Sequence, residues 1–328
     1  MKRAFLSGIS GQDGSYLAEY LLEQGYAVYG MLRRQSVSEN QTIRIDHIFD
    51  KINLVYGDVT DQSSIENILT DIRPDEIYNL AAQSHVRVSF DVPHYTVQAD
   101  AVGVLNMLEA YRRLCPDAKF YQASSSEMFG LTIEDDKFQR ETTVMNPVSP
   151  YGVSKVFAYN MVRHYRRAYG LHAVNGILFN HESPRRGSNF VTGKVVKAAC
   201  EIKLGLRDNL QLGALDTFRD WGHAKDYVRS MHMMLNHDVA DDFVVSTMET
   251  HSVREMCNVV FILLGMNYED YVVQNAKFMR AEELPYLKGD STKIRETLGW
   301  KPTYTFIEMM NEMVEHWMDV LQGKESLR

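Results

Sequence analysis

The chain has 328 residues, of which 45% are hydrophobic and 24% charged, with 20 glycines and 8 prolines. This length and composition are typical of a globular protein with two domains, or with one large domain and an appended lobe, and they exclude disordered, collagen-like and low-complexity chains. The 35 basic and 43 acidic side chains give a net charge of −8, which argues against a general binder of nucleic acid or of anionic membranes.

The first half of the chain alternates short apolar runs with patterns of helical spacing. It opens with an apolar run at 4–6, a glycine-rich turn and a helical pattern from Tyr16 to Leu21. Further strands are predicted at 27–32, 52–56, 76–82, 119–123 and 173–179, and helices at 65–72, 102–111 and 155–169. This alternation predicts the α/β class, with a Rossmann-type, doubly wound parallel sheet that carries helices on both faces.

After residue 182 the alternation weakens. Pro184 to Gly187 interrupts it, residues 242–247 are expected to return to the sheet, and residues 253–264 predict a helix that ends before Gly265. We therefore expect a dinucleotide-binding Rossmann domain of residues 1–182 plus roughly 222–248. A smaller, mixed C-terminal lobe, roughly 183–221 and 249–328, is expected to bind the substrate and to close over the strand ends.

Cysteine usage and apolar runs favour a cytoplasmic location. The three cysteines, Cys115, Cys200 and Cys257, lie far apart and form no Cys-x-x-Cys pair, so they predict neither a disulfide framework nor a zinc site. The apolar start of the chain is too short for a signal peptide, and no apolar run approaches the roughly 18 residues of a membrane span. We expect a soluble, cytoplasmic protein that binds no metal.

The turn after the first strand carries a Gly-x-x-Gly-x-x-Gly motif, formed by Gly8, Gly11 and Gly14. Glycines at this place let the backbone turn sharply and approach a pyrophosphate, which binds to the amides of the following helix N-terminus. A plain turn is the alternative, and the strand-turn-helix context favours dinucleotide binding.

The residues that end the next strands indicate which dinucleotide is bound. Arg33 and Arg34 end the second strand, where an NAD site usually has an acidic residue, and two guanidinium groups suit a 2′-phosphate. NADP is therefore favoured over NAD, with two solvated arginines as the alternative. Supporting positions, which simple packing would also explain, follow the third and fourth strands: Asp58, Val59, Leu80, Ala81, Ala82, Gln83 and Ser84.

Four residues form a candidate catalytic group. Tyr151 and Lys155 lie one turn apart on a predicted helix, where an ammonium group would lower the tyrosine pKa toward a value useful for proton transfer. A serine hydroxyl at the end of the fifth strand, among residues 124–126, can bind a substrate hydroxyl. Glu127 adds a carboxylate, which a simple oxidoreductase of this architecture does not need but which supplies a base for a carbon acid.

Together with longer stretches, these motifs resemble the extended short-chain dehydrogenase/reductase superfamily and, within it, the GDP-mannose 4,6-dehydratase family. The resemblance covers nearly the whole chain. The added stretches are 81–85, 121–124, 176–187, 219–222 and 299–302. Asn-His-Glu-Ser-Pro at 180–184 and Arg-Asp-Trp-Gly at 219–222 are specific to the dehydratase branch.

Carried over residue by residue, the resemblance implies a role for each matching position. Glu127 would be the acid/base, Tyr151 the base that accepts a hydroxyl proton, and Lys155 its assistant, with Ser125 at the place of the family's catalytic threonine. The cofactor would contact Gly8, Gly11, Gln12, Asp13, Gly14, Arg33, Arg34, Asp58, Val59, Leu80, Ala81, Ala82, Gln83, Ser84, Tyr95, Tyr151, Lys155, His181 and Arg186. The GDP-sugar would contact Ser84, Ser125, Glu127, Asn180, Lys194, Arg219 and Arg280, with Glu283 as a further position.

The resemblance implies a hydro-lyase that converts GDP-mannose into GDP-4-keto-6-deoxymannose by an internal cycle of oxidation, elimination and reduction, with tightly bound NADP. It also implies a homodimer or homotetramer. Two positions depart from the family pattern: Ser125 replaces threonine but keeps the hydroxyl, and Val148 stands in Pro147–Pro150 where the family has an arginine.

Three other functions stay open. A related GDP-sugar such as a GDP-heptose could replace GDP-mannose, the chain could be a nucleotide-sugar epimerase or reductase of the same fold, or it could be an NADP sensor without catalysis. Glu127 argues against the epimerase, because epimerases of this superfamily typically carry an apolar residue there. A P-loop kinase is excluded, since no Ser or Thr follows either Gly-Lys pair, at 193–194 or at 323–324.

Overall fold

Strands and helices alternate through most of this computed structural model, which describes residues 1–36, 41–279 and 282–325. The strands, in chain order, are β1 Arg3–Ser7, β2 Ala27–Leu32, β3 Asn53–Tyr56, β4 Glu76–Asn79, β5 Lys119–Ser125, β6 Ala173–Leu178, β7 Asn180–Glu182, β8 Leu210–Leu212, β9 Phe218–Arg219, β10 Trp221–His223, β11 Asp242–Val245, β12 His251–Ser252, β13 Val272–Gln274 and β14 Tyr286–Leu287. The α-helices are α1 Gln12–Glu23, α2 Gln62–Ile72, α3 Val86–Asp91, α4 Pro93–Val97, α5 Gly103–Leu114, α6 Pro150–Tyr169, α7 Val191–Lys203, α8 Ala224–Asn236, α9 Val253–Leu263, α10 Thr292–Leu298 and α11 Phe306–Leu321.

Seven of the strands form one parallel sheet in the order β11-β6-β5-β4-β1-β2-β3. In the centre, Phe5 of β1 pairs with Tyr29 of β2 and with Ile77 of β4. At one edge, β11 pairs in parallel with β6, so the predicted return of the chain to the sheet is confirmed. Because all the strands run the same way, their carboxyl ends lie along one edge of the sheet, which is where ligands bind in open α/β folds.

Apolar side chains cover both faces of this sheet. On one face, α1 and α8 pack over a core that includes Leu6 and Val28, and on the other face α2, α5 and α6 pack over a core that includes Phe5 and Phe120. Adjacent residues of a strand point to opposite faces, so strands that are buried on both sides are continuous apolar runs. The predicted Rossmann-type sheet with helices on both faces is confirmed.

Two element boundaries near the strand ends differ from the prediction. The predicted strand 76–82 ends at Asn79, because the backbone N–H groups of Leu80 and Ala81 donate to the Ser7 hydroxyl rather than to a neighbouring strand. The predicted helix 155–169 begins earlier, with Pro150 in its first turn and the Ser149 hydroxyl accepting a hydrogen bond from the Gly152 N–H. The first difference places the backbone of Leu80 and Ala81 at the carboxyl edge of the sheet, and the second places Tyr151 there.

Residues after the sixth strand build a further apolar core, separate from the two on the sheet faces, around α7, α9 and α11. Short strands join distant parts of the chain, as when β7 pairs with β10, β8 with β13, and β9 with β12 and β14. The Ser252 and Thr305 capping boxes start α9 and α11. Within the described residues, none of the helices combines the length and apolar character needed to span a membrane.

Candidate active site

A cavity of about 720 Å³ lies at the carboxyl edge of the sheet, between the sheet and the segments after residue 180. It brings together residues that the sequence assigns to cofactor, catalysis and substrate. The predicted residues that line it are Gly8, Gly11, Gln12, Asp13, Gly14, Leu80, Ala82, Ser84, Ser125, Glu127, Tyr151, Lys155, Asn180, His181, Arg186, Lys194, Arg219 and Glu283. One space could therefore hold a dinucleotide and a second ligand side by side.

The glycine turn at one end of the cavity leaves no room for side chains. Gly8 has a left-handed φ of +73°, and a Cβ there would lie 3.1 Å from the backbone nitrogen of Ala81. At Gly14 a Cβ would lie 2.2 Å from the Gly8 carbonyl oxygen, a distance that no side chain tolerates. Gly11 caps α1 and leads directly into its first turn. The bare backbone and the helix N-terminus form a cradle that fits a pyrophosphate.

Ser7, which the sequence analysis did not single out, fixes the loop opposite this turn. Its buried hydroxyl donates to Asn79 Oδ1 at 2.6 Å and accepts from the N–H groups of Leu80 and Ala81 at 3.0 and 3.1 Å. The N–H groups that follow β4 therefore bind the Ser7 side chain instead of a neighbouring strand. This contact holds the segment from Leu80 to Ser84 at the cavity. No local sequence pattern signals such a contact across strands.

A partly buried ion pair connects the first turn of α1 with β7. His181 Nε2 lies 2.8 Å from Asp13 Oδ2, and His181 Nδ1 lies 2.7 Å from the Phe179 carbonyl oxygen. Burial opposes the charge on each group, yet the Asp13 charge raises the pKa of His181 and the His181 charge lowers the pKa of Asp13. With acceptors at both ring nitrogens, His181 is held as an imidazolium at the cavity.

Gln12 and Ser15 tie the same first turn to the segment after β7. Gln12 Nε2 donates to the His181 carbonyl oxygen, the Ser183 hydroxyl donates to Gln12 Oε1, and Arg185 donates to the Ser15 hydroxyl. The segment that carries the predicted cofactor residues His181 and Arg186 is therefore fixed to the glycine turn.

The candidate catalytic residues converge at the end of β5 and the start of α6. Ser125 ends β5, and its hydroxyl accepts a hydrogen bond from the Glu127 N–H at 3.2 Å. Gly152 lets α6 approach this turn, since a Cβ there would lie 2.9 Å from the Glu127 carbonyl oxygen. Glu127 and Tyr151 are only 8% and 9% exposed, and both line the cavity. The structure therefore brings Ser125, Glu127, Tyr151 and Lys155 together at one cavity.

The pKa of Tyr151 is shifted in the direction opposite to the sequence-based expectation. Burial raises the pKa of the Tyr151 phenol, the charges of Asp100 and Glu127 raise it further, and a hydrogen bond with Ser125 acts in the opposite direction. The Lys155 ammonium lies 5.6 Å from the centre of the Tyr151 ring and donates to the Ala123 carbonyl oxygen at 2.9 Å. The lowering of the Tyr151 pKa that was expected from Lys155 is therefore not found, and burial raises this pKa instead.

The cations predicted for the substrate line the far part of the cavity. Arg219 donates to the carbonyl oxygens of Phe218 and Leu284, both at 2.8 Å, and is 7% exposed. Lys194 donates to the Gln211 carbonyl oxygen, and its ammonium lies 4.2 Å from the centre of the Phe278 ring. Burial lowers the pKa of Lys194. Arg280 lies outside the described residues.

Seven predicted cofactor residues do not line the cavity, namely Arg33, Arg34, Asp58, Val59, Ala81, Gln83 and Tyr95. Arg33 and Arg34 are exposed, and Arg33 donates to the Tyr95 hydroxyl, so these two predicted residues contact one another. Asp58 caps its own turn through Thr60, and Ala81 lies behind Gly8. Their roles stay predictions.

Arg44 and Phe190 also line the cavity, although the sequence analysis missed both. Arg44 Nε donates to the Arg185 carbonyl oxygen, and the guanidinium carbon of Arg186 lies 3.7 Å from the centre of the Phe190 ring. Each residue stands in an irregular segment, where the sequence offers no periodicity to locate it.

Comparisons with known proteins show the family of this chain. A family model described as GDP-mannose 4,6 dehydratase matches residues 5–313. GDP-mannose 4,6 dehydratase 1 of Arabidopsis thaliana is 47% identical, covering 99% of this chain and 92% of the relative. The human GDP-mannose 4,6 dehydratase is 44% identical, covering 97% of this chain and 92% of the relative. That of Yersinia enterocolitica is 46% identical, covering 99% and 95%.

Solved structures share the fold at lower identity. A UDP-glucose 4-epimerase from Thermotoga maritima superimposes with a TM-score of 0.86 at 22% identity, covering 97% of this chain and 99% of the other. A dTDP-glucose 4,6-dehydratase from Bacillus anthracis, solved in complex with NAD, gives a TM-score of 0.85 at 20% identity and covers both chains fully. At this identity the likeness shows the fold alone.

Proposed function

Because this chain belongs to the GDP-mannose 4,6-dehydratase family, we propose that it removes water from GDP-mannose and releases GDP-4-keto-6-deoxymannose. The observation that carries the proposal is the position of Glu127. Glu127 lines the same cavity as Tyr151, Lys155 and the glycines of the turn. An oxidoreductase would need only the latter two residues and a hydroxyl, whereas an elimination also needs a base for a carbon-bound proton.

A nicotinamide dinucleotide fits the cradle that Gly8, Gly11 and Gly14 leave open, and His181 and Arg186 add positive charge beside it. When bound, such a cofactor would supply a reversible hydride acceptor for the sugar within one turnover. We assign NADP rather than NAD to this chain, since Arg33 and Arg34 follow β2 where a 2′-phosphate would lie. Tyr95 contacts Arg33 and would help to hold that phosphate.

Tyr151 and Glu127 divide the proton transfers between them. Tyr151 takes the proton of the C4 hydroxyl, with Ser125 in hydrogen-bond contact with the phenol and Lys155 on the adjacent turn of α6. The resulting C4 ketone acidifies the C5–H bond, and Glu127 removes that proton while the C6 hydroxyl accepts the proton held by Tyr151 and leaves as water. Glu127 then returns a proton to C5 as C6 becomes a methyl group.

The segments after residue 180 supply the place for the GDP-sugar in this proposal. Asn180, Lys194 and Arg219 face the cavity from three elements, β7, α7 and β9, and two of them are cations suited to a pyrophosphate. We assign these segments, roughly residues 183–221 and 249–328, to the substrate-binding lobe of a homodimer or homotetramer.

The test is to incubate the protein with GDP-mannose and NADP⁺ and to follow the nucleotide sugar by mass spectrometry in D₂O. We expect loss of one water, deuterium incorporation at C5, and no net reduction of the added cofactor. The Glu127→Gln variant should bind GDP-mannose but form product about 10²–10⁴-fold more slowly, without C5 exchange. Glu296→Gln, an exposed change on α10, is the control with unchanged turnover. Epimerised GDP-hexose of unchanged mass would instead identify an epimerase.

A further inference from the structure

Asp100 is a fully buried carboxyl group that none of the proposed steps uses. It lies in a π-helical turn, Gln98–Val102, which joins α4 to α5. Turns of this kind are rare and frequently occur at functional sites. The helix predicted from the sequence begins only at residue 102, so only the structure draws attention to Asp100.

The two oxygens of Asp100 have different surroundings. Oδ1 accepts a hydrogen bond from the Gln83 backbone N–H at 2.7 Å, which fixes the loop from Leu80 to Ser84 at the cavity. Oδ2 is buried and accepts no hydrogen bond from the described residues. A buried carboxylate oxygen without a donor costs stability. An uncharged acceptor would satisfy the Gln83 N–H equally well, so the presence of a carboxylate at this position points to a role for its charge.

The charge of Asp100 acts on the two residues at the start of α6, which packs against the π-helical turn. Burial raises the pKa of Asp100 to about 6, and the Lys155 ammonium and the Gln83 N–H oppose that rise. Burial lowers the pKa of Lys155, and Asp100 opposes that fall. After burial, Asp100 is the strongest influence that raises the pKa of Tyr151. Asp100, Lys155 and Tyr151 therefore form one electrostatic group.

We propose that Asp100 is a positioning residue of the active site, whose buried carboxylate sets the charges of Lys155 and Tyr151 while its other oxygen anchors the loop at Gln83. This inference rests on the proposed function, in which Tyr151 must accept a proton and release it again in every turnover. A negative charge behind Lys155 keeps the ammonium protonated in its buried position. The same charge keeps Tyr151 from losing its proton too readily.

The Asp100→Asn variant separates the charge from the anchoring contact, because the amide oxygen can still accept from the Gln83 N–H. We expect the pKa of both Tyr151 and Lys155 to fall in this variant. The acid and the alkaline limb of the kcat profile should then both move to lower pH by about one unit, which is about tenfold in rate on the alkaline limb. Asp100→Ser, which is smaller and uncharged, should move the limbs in the same direction.

The matched control is Asp61→Asn, which makes the same change at an exposed helix cap where asparagine caps equally well. Its profile should coincide with that of the unchanged protein. If Asp100 served only to anchor the loop, Asp100→Asn would leave both limbs in place, whereas Asp100→Ser, which loses the contact with Gln83, would lower kcat or thermal stability at every pH without moving the limbs. That result overturns the proposal.

A second measurement does not depend on turnover. The protein loaded with NADP and labelled with ¹³C at the tyrosine ζ carbons reports phenol ionisation by NMR, and the Tyr151 resonance is identified by its loss in Tyr151→Phe. We expect this resonance to titrate at lower pH in Asp100→Asn than in the unchanged protein, and identical titrations overturn the proposal. If the unchanged protein forms no 4-keto-6-deoxy product, the proposed function fails, while the NMR comparison still decides the role of Asp100.

Discussion

Replacing Ser7 by alanine tests whether the end of β1 holds the loop from Leu80 to Ser84. The hydroxyl has three partners, the Asn79 side chain and the N–H groups of Leu80 and Ala81, at 2.6 to 3.1 Å in a fully buried position. Losing each hydrogen bond costs about 1 kcal/mol, and the partners left buried raise that cost. We therefore expect Ser7→Ala to lower the free energy of unfolding by about 3 kcal/mol, a large part of the ~5–15 kcal/mol typical of a domain.

Urea unfolding followed by circular dichroism measures this loss as a shift of the midpoint at constant slope. The control is Ser230→Ala in α8, where an equally buried hydroxyl donates only to the Tyr227 carbonyl oxygen of its own helix, so the change should cost only about 1 kcal/mol. NADP affinity, measured by calorimetry, should also fall in Ser7→Ala, because the loop is no longer pinned. Equal midpoints for the two variants would refute the anchoring argument.

Three further predictions follow from local geometry. Gly14→Ala should abolish NADP binding in calorimetry, because its Cβ meets the Gly8 oxygen, whereas Gly25→Ala, with nothing within 4 Å, should cost only the roughly 1 kcal/mol of a left-handed residue and keep binding. The pKa of His181 is raised above 6.5 and that of Asp13 is lowered below 3.8, so their ion pair stabilises the fold fully between pH 3.8 and pH 6.5. This stabilisation is lost as the pH rises through the raised His181 pKa or falls through the lowered Asp13 pKa. His181→Gln should therefore lower the melting temperature more near pH 5 than near pH 9. Thr305→Ala should cost about 1 kcal/mol in urea unfolding by removing the α11 cap, without changing NADP affinity.

The sheet and the position of the catalytic helix could be predicted from sequence because their signals are local. Phe5 and its neighbours form a continuous apolar run, which is typical of a strand buried on both faces, and Tyr151 and Lys155 are four apart on one helix. The dehydratase family was recognised from the same kind of signal, short motifs such as the one at 180–184.

What the sequence missed depends on contacts between distant residues. Ser7 and Asp100 reach partners 73 and 17 residues away through a hydroxyl and a carboxylate, and neither stands in a recognisable motif. The pKa of Tyr151 was predicted from Lys155 alone, while burial and the charge of Asp100 dominate in the folded chain. Burial is set by packing of the whole site, so a spacing of four residues cannot reveal it.

The position of β11 at the edge of the sheet has a consequence for how the chain folds as it is made. Its partner β6 ends at Leu178, but β11 begins only at Asp242, after the chain has passed through α7 and α8. At typical synthesis rates of about 5–20 residues per second, β6 waits several seconds on the ribosome with one row of N–H and C=O groups unpaired. An exposed strand edge invites pairing with other chains. Nascent chains of this protein should therefore depend most on chaperones while the segment between these two strands is being translated.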